Sequence, residues 1–301
     1  MAPQRGPKFG DQMHYASLAQ FLNANAAKLV KGPTALVFAE DAIELDSTLE
    51  HALNLGFAQV VCLAAPHLPI GAEIAPQVHR IDFDVYADRA LPNAVNLVIA
   101  AAPGAWLHYC YNAEYLFFPF CETRKIRDFT TFLTEERRAS ALSYVIDLYA
   151  KDLTRHPDAV SRGSAMLDRL GYYALGRTDP AKGNLPKDRQ LDFFGGLRWR
   201  FEEHVPWSRR RIDRISVFQA VAGLALREDH TFSIEEYNTY ACPWHNNPTT
   251  AVCSFRTAKA LRLNPGSRDA IPTFTWRNSE PFEWSSEQLM NLGLMEPGQW
   301  F

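Results

Sequence analysis

Two short apolar segments with an amphipathic segment between them constrain the fold of this chain more than any other feature. Residues 34–39 (TALVFA) and 58–65 (AQVVCLAA) are largely apolar and contain β-branched residues, which indicates strands. Residues 44–56 (ELDSTLEHALNLG) have the pattern of a helix, with Asp46 or Ser47 near its start and Gly56 at its end. Strand, helix and strand joined by short connections form a βαβ unit, which predicts a parallel sheet with a right-handed crossover.

The same alternation continues to about residue 120. Further segments predict a helix at 14–31, a strand at 79–83, a helix at 93–102 and a strand at 105–111. The predicted fold class is therefore α/β, with a Rossmann-like, mostly parallel sheet flanked by helices. The first part of the chain has the scale of a nucleotide-binding half-domain.

The second half of the chain is less regular. Thr134-Glu135-Glu136 is typical of a helix start, and the segment 145–148 fits a strand or a helix. Residues 155–192 are polar with Gly and Pro throughout, which predicts a long loop. Residues 212–220 predict a strand, and residues 249–263 predict an amphipathic helix.

Composition narrows the partners and the compartment. The 301 residues include 31 basic and 34 acidic side chains, so the net charge of −3 gives no reason to expect a nucleic-acid partner. The five cysteines are widely spaced without a Cys-x-x-Cys, which argues against a disulfide framework. The apolar region 91–107 is too short and too interrupted by Pro and Asn to span a bilayer, and the first residues lack a signal-peptide pattern. We expect a reduced, cytoplasmic protein without a transmembrane segment, and peripheral membrane contact stays open.

Acidic and amide side chains follow two of the predicted strands. Glu40 and Asp41 come directly after the strand at 34–39, where an open α/β sheet binds ligands, and they could hold a ribose, a base edge or a metal. The alternative is a solvated turn. Asn112 and Glu114 follow the strand at 105–111. An acid buried among the aromatic residues there must be paired, metal-bound or protonated, unless Glu114 points outward from a strand edge.

A basic segment supplies candidates for phosphate binding and proton transfer. Gly195-Gly196 permits close backbone approach, and Arg198 and Arg200 could neutralise phosphate with their forked guanidinium groups. The acids and the histidine that follow could each act as a base, and we do not rank them: Glu202, Glu203 and His204. The alternative is a solvated strand edge.

The segment 242–247 (CPWHNN) resembles a metal or thiol site only in part. Cys242, His245 and Cys253 could suggest zinc, but a closed zinc site needs four ligands and no fourth is evident. A Cys242 thiol nucleophile lacks an orienting acid. His245 is better interpreted as a substrate contact.

The order of these segments resembles the GT-A-fold glycosyltransferases of the family 2 and family 92 type. Residues 34–65 are similar to the opening of that family, and residues 94–120 to the approach to its Asp-x-Asp motif. Residues 195–201 (GGLRWRF) are similar to its Gly-Gly-x-Arg segment, and CPWHNN stands where the family has a late histidine. The resemblance implies a domain at 34–263, preceded by an arm and helix at 1–33 and followed by a packed extension at 264–301.

The same resemblance implies transfer of a sugar from a nucleotide-sugar donor to a glycan or glycoconjugate acceptor. Glu40 and Asp41 would contact the nucleoside. In the family the Asp-x-Asp acids hold a divalent cation and the donor diphosphate. Here at most one acid, Glu114, remains at that position, so Mn²⁺ or Mg²⁺ would be held by Glu114 with the help of Asn112.

The loss of acids leaves three hypotheses open. The chain could be a metal-using transferase, or a degenerate transferase kept as a binding or assembly protein. It could also catalyse transfer without a metal, with Arg198, Arg200 and other cations in place of the ion.

Overall fold

The computed structural model describes residues 13–240 and 247–300. Within these ranges the chain forms thirteen strands: β1 (Met13–Tyr15), β2 (Thr34–Ala39), β3 (Gln59–Ala64), β4 (His79–Asp82), β5 (Trp106–Tyr111), β6 (Glu114–Phe117), β7 (Ser140–Ala150), β8 (Ala165–Asp168), β9 (Tyr173–Asp179), β10 (Leu185–Phe194), β11 (Asp213–Gln219), β12 (Thr250–Ser254) and β13 (Ser279–Pro281). The same ranges contain eight α-helices: α1 (Leu18–Leu29), α2 (Leu45–Asn54), α3 (Ala90–Ala101), α4 (Ile126–Glu135), α5 (Gly196–Arg200), α6 (Arg256–Leu263), α7 (Pro265–Arg268) and α8 (Ser286–Asn291). None of these helices combines the length and the apolar character that crossing a bilayer requires.

Eleven of these strands form one mixed sheet. Its order is β1-β4-β3-β2-β5-β11-β7-β12-β6, with β8 paired to β7 and β13 paired to β8. The strands from β1 to β5 in this order are mutually parallel, whereas β11 is antiparallel to both of its neighbours. The α/β prediction is confirmed, and the correction is that the mostly parallel part occupies one edge of a mixed sheet.

Both faces of the parallel part are covered by helices. Along β2, Ala35 and Val37 pack in the core that includes α2 and α4, and Leu36 and Phe38 pack in the core that includes α1 and α3. Successive side chains of a strand point to opposite faces, so a strand between two helical layers must be apolar at every position. This requirement explains the uninterrupted apolar run at 34–39.

The remaining half of the sheet curls. β5 ends at Tyr111 and β6 begins at Glu114, yet β11, β7 and β12 lie between these two strands in the pairing order. Three intervening strands make four steps, which would separate β5 from β6 by ~19 Å in a flat sheet. The chain from Tyr111 to Glu114 spans at most ~11 Å. The sheet therefore bends until β6 returns toward β5, and Ala113 makes the turn with a left-handed φ of 60°.

Residues 155–192 are not the loop that their composition predicts. They contain β8 and most of the hairpin formed by β9 and β10. β9 is largely exposed along its length. No face of β9 needs apolar residues, and the alternation that would reveal a strand is missing from the sequence.

The helix predicted over 249–263 is also wrong in its first third. Residues Thr250–Ser254 form β12, and only Arg256–Leu263 form α6. β12 lies between β7 and β6, so all five of its residues are buried. A run this short fits the periodicity of a strand and that of a helix equally well. Cys253 therefore belongs to the sheet and not to the face of a helix.

Two helix boundaries differ from the sequence prediction. Thr134-Glu135-Glu136 lies at the end of α4, whose start is marked by the hydrogen bond from the Lys125 N–H to the Asp128 carboxylate at 2.8 Å. Residues 145–148, which fit either a strand or a helix in the sequence, lie within the strand β7. The first helix begins at Leu18 because Ser17 caps it, while residues 13–15 pair with β4.

The last 37 described residues pack on two cores. Ile271 and Phe274 are buried with Tyr149 and Leu261 in a separate core, and the residues from Phe282 onward pack on the core of α2 and α4. β13 pairs with β8, and Phe282, Leu289 and Trp300 are buried in that core. The Trp300 ring lies 5.4 Å from the Phe129 ring and 5.8 Å from the Phe132 ring, between centroids.

We predict that Trp300→Ala lowers the free energy of unfolding by about 3–5 kcal/mol, because it removes a buried aromatic side chain and leaves a cavity. Trp207→Ala is the matched control, since this tryptophan is 66% exposed, and its loss should be about 1 kcal/mol or less. Urea unfolding of both variants measures the difference. Equal losses in the two variants would show that the C-terminal segment adds little to the core.

Candidate functional site

A cleft of about 710 Å³ lies at the carboxyl ends of the central strands. Strands β3 and β4 follow β2 on one side of the sheet, and β5 pairs with β2 on the other side. The strand order therefore reverses between β2 and β5. Open α/β sheets bind ligands at such a switch point. The cleft is lined by the turn after β2, the first residue of β6, α5, the segments 204–214 and 228–230, and α6.

Asn112 connects the two strand ends beneath the cleft. Its side chain is fully buried, and its Oδ1 accepts a hydrogen bond from the Glu40 N–H at 2.8 Å. Its Nδ2 donates to Asp41 Oδ1 at 2.7 Å and to the Ile43 carbonyl at 2.9 Å. Asn112 does not line the cleft, and its part is to position the two acids that do.

Both acids after β2 are paired with cations of α6. Arg256 donates two hydrogen bonds to the Glu40 carboxylate, at 2.8 and 2.7 Å, and its guanidinium lies 3.7 Å from the centroid of the Tyr111 ring. Burial opposes the charge on Arg256, but its hydrogen bonds to Glu40 and the charge of that acid hold its pKa above the ordinary value. Lys259 Nζ lies 2.7 Å from Asp41 Oδ2. Glu40 and Asp41 therefore form a turn fixed by ion pairs rather than a freely solvated one.

Glu114 is buried and paired with Arg214 of β11. Oε2 accepts hydrogen bonds from Arg214 Nη2 at 2.7 Å and from the Tyr111 N–H at 2.9 Å. Oε1 accepts from the Ser254 hydroxyl at 3.1 Å, and Arg214 Nη1 is 3.4 Å away. Burial alone would raise the pKa of Glu114, but the charge and hydrogen bonds of Arg214 bring it down to about 2. Of the three states that the sequence allows for a buried acid here, the structure shows the paired one.

Arg198 lines the cleft from α5 and lies beside a second buried acid, Asp147 of β7. Arg198 Nη1 donates to the Arg211 carbonyl at 2.6 Å, and its Nε is 3.7 Å from Asp147 Oδ1. Burial raises the pKa of Asp147, and the charge of Arg198 limits the rise. Gly196 makes this approach possible, because its φ is 61° and a Cβ there would lie 2.9 Å from Asp147 Oδ2.

Arg200 faces away from the cleft. Residues two apart on a helix point to different sides, and α5 turns Arg200 toward Asp168 of β8. Arg200 Nη1 lies 3.1 Å from both carboxylate oxygens of Asp168, and its Nη2 donates to the Phe274 carbonyl at 2.7 Å. These contacts hold the C-terminal segment against β8.

The three candidate bases, Glu202, Glu203 and His204, differ in their position relative to the cleft. His204 lines the cleft. Glu202 pairs instead with Arg210, at 2.8 Å, and the Glu203 side chain is 64% exposed, with its nearest described ionic contact to His204 at 3.8 Å. His245 and Cys242 lie outside the described residues.

Arg214, Arg256, Lys259 and His230 are among the cleft residues that were not predicted from the sequence. Arg256 and Lys259 stand three residues apart on α6, a spacing that indicates one shared helix face but no partner. His230 has a left-handed φ of 61°, and its Nδ1 lies 3.1 Å from the Tyr109 hydroxyl. Burial and then the charge of Arg214 lower the pKa of His230 to about 3, so its imidazole is neutral at pH 7.

Comparisons with protein-family models and with curated proteins find no match for this chain. Five of the side chains predicted from the sequence meet in the cleft: Glu40, Asp41, Glu114, Arg198 and His204.

We predict that the Glu114–Arg214 pair makes stability depend on pH. The pKa of Glu114 falls from 4.5 to about 2 on folding, so its contribution is present above pH 4.5 and is lost as pH falls toward 2. The difference between these two pKa values corresponds to about 3 kcal/mol of folding free energy. Glu114→Gln lacks the charge, so the stability gap between wild type and variant should narrow as pH falls below 4.5.

Urea unfolding over that pH range measures the gap. Glu50→Gln is the control, because Glu50 is exposed on α2 and its replacement should leave a gap near zero throughout. A gap between wild type and Glu114→Gln that stays constant with pH would contradict the assigned pairing.

Proposed function

We propose that the protein is a glycosyltransferase that moves a sugar from a nucleotide-sugar donor to a hydroxyl of a glycan or glycoconjugate acceptor. The observation that carries the proposal is the position of the cleft. Acids fixed by Asn112 at the switch point of the sheet line one opening together with cations of α5 and α6. The volume of about 710 Å³ lies within the range of small-molecule sites, ~300–1,000 Å³.

The two sides of the cleft suit the two parts of a nucleotide. Guanidinium groups bind phosphate with two parallel hydrogen bonds, and Arg198 and Arg256 both line the opening. Glu40 and Asp41 would accept hydrogen bonds from ribose hydroxyls or a base edge with the lone pairs that their ion pairs leave unused. The acids also hold Arg256 and Lys259 in place before a ligand arrives, which lowers the cost of ordering them on binding.

The transfer breaks the bond between the anomeric carbon and the diphosphate oxygen, and forms one from that carbon to the acceptor oxygen. The leaving nucleoside diphosphate keeps the bonding electrons, and cations fixed at the cleft stabilise the charge that develops on it. The acceptor hydroxyl loses its proton to a base. We assign this part to His204, because it alone of the three candidates from the sequence lines the cleft.

A second candidate function is that of a protein that binds a nucleotide sugar but does not transfer the sugar to an acceptor. The pairing of Glu114 with Arg214 is the observation that favours it, because this acid is committed to an internal contact. Binding of a nucleotide sugar without release of nucleotide in the presence of any glycan would support this second function.

We predict that calorimetry against UDP-, GDP- and CMP-linked sugars finds binding by at least one of them. Arg198→Lys should weaken that binding about tenfold, or about 1.4 kcal/mol, because lysine keeps the charge beside Asp147 but loses the fork.

Arg155→Lys is the matched control. Its side chain is 83% exposed and lies outside this cleft, so the variant should bind as the wild type does. Failure of every nucleotide sugar to bind, or an equal loss in both variants, would count against the proposal.

A further inference from the structure

The resemblance to the glycosyltransferases implies that Glu114 binds a metal, but its carboxylate already accepts hydrogen bonds from other groups of the protein. Arg214 Nη2, the Tyr111 N–H and the Ser254 hydroxyl all lie within 3.1 Å of its two oxygens. The carboxylate is 1% exposed and its guanidinium partner 5% exposed, so the pair is enclosed at the base of the cleft.

This arrangement does not fit a divalent cation at Glu114. A cation on either oxygen would have to displace a hydrogen-bond donor, and it would lie beside a positive guanidinium in a poorly solvated place, where like charges repel strongly. Glu40 and Asp41 are committed in the same way, to Arg256 and Lys259. The remaining acids that line the cleft each lie within 4 Å of an arginine: Asp213 and Asp229 beside Arg211, and Glu228 beside Arg89. Asp147 lies 3.7 Å from Arg198.

We infer that Arg214 takes the place of the metal: the protein binds the diphosphate of its nucleotide ligand through guanidinium groups, without a divalent cation. The inference rests on the proposed function and names the chemistry of its diphosphate site. Arg214, Arg198 and Arg256 all line one cleft, so three guanidinium groups held by protein contacts surround the same opening. Glu114 orients Arg214 and is a positioning residue, with no direct part in binding.

An unfilled donor on Arg214 points to the same ligand. Its Nε is buried and has no hydrogen-bond partner among the described residues. Buried donors in folded proteins are nearly always paired, so an unpaired one beside a cleft indicates a group that the ligand supplies. An anionic phosphate oxygen is the acceptor that a guanidinium binds best.

The experiment measures nucleotide binding by calorimetry in excess EDTA and again with Mn²⁺ or Mg²⁺. The probes are UDP, GDP, CMP and their sugars. We expect the dissociation constant to be the same within about threefold in the two conditions, because the charge that binds phosphate belongs to the protein. Binding that disappears in EDTA and returns with Mn²⁺ would overturn this inference and leave the proposed function standing. Absence of binding in both conditions would overturn the proposed function, and the inference with it.

A double variant tests the part of Arg214. Arg214→Met with Glu114→Gln removes both charges at once, and replacing a buried ion pair by neutral side chains of similar size is generally tolerated. We expect a folded protein whose affinity in EDTA falls at least tenfold, with no recovery on addition of Mn²⁺.

The matched control is Arg155→Met with Asp152→Asn, an exposed pair outside the cleft, which should bind as the wild type does. Thermal unfolding of each variant separates lost binding from lost folding. A double variant at 214 and 114 that folds and binds as tightly as the wild type would overturn the inference.

Discussion

The buried ion pair between Glu114 and Arg214 holds together the part of the sheet on which the cleft depends. It joins the first residue of β6 to β11, two strands that β7 and β12 separate in the pairing order. Because the sheet curls there, carboxylate and guanidinium meet in its interior, where either charge alone would be costly. The Tyr111 N–H and the Ser254 hydroxyl complete the contact, so the ends of β5 and β12 are fixed by the same carboxylate.

The other cleft cations repeat this principle. Arg256, Lys259 and Arg198 each have an acid from a different element beside them. Arg256 of α6 reaches the end of β2, and Arg198 of α5 approaches β7. The cleft is therefore close to electrically balanced while its cations keep fixed orientations, which is the preorganisation that electrostatic stabilisation of a leaving group needs.

Sequence reasoning succeeded where burial acts on both faces of an element. The runs at 34–39 and 58–65 are apolar throughout because helices cover both sides of β2 and β3, and no other pattern satisfies that environment. It failed for β12, whose five buried residues are too few to define a period, and for β9, which has no buried face. Among the site residues, it showed that a buried Glu114 needs a partner, but not that the partner lies 100 residues away.

Arg198 and Arg200 show why the candidate site could be predicted only in part. The two arginines are two residues apart in the same segment. They point to different sides of α5, so Arg198 lines the cleft and Arg200 pairs with Asp168. The pairing of Arg256 with Glu40 spans 216 positions, and no local pattern in a single sequence encodes it. Of the three candidate bases, only His204 lines the cleft, and residue type alone could not distinguish it from Glu202 and Glu203.

The late position of β12 in the chain has a consequence for synthesis. β6 is complete at residue 117 and β7 at residue 150, but the strand that pairs with both arrives only at residues 250–254. At translation speeds of about 5–20 residues per second, β6 has no described strand partner for several seconds. An exposed strand edge is a template for pairing with other chains, so over that interval the edge of β6 is a site for intermolecular pairing. A strand made more than 100 residues after β6 therefore fills the place between β6 and β7 in the sheet.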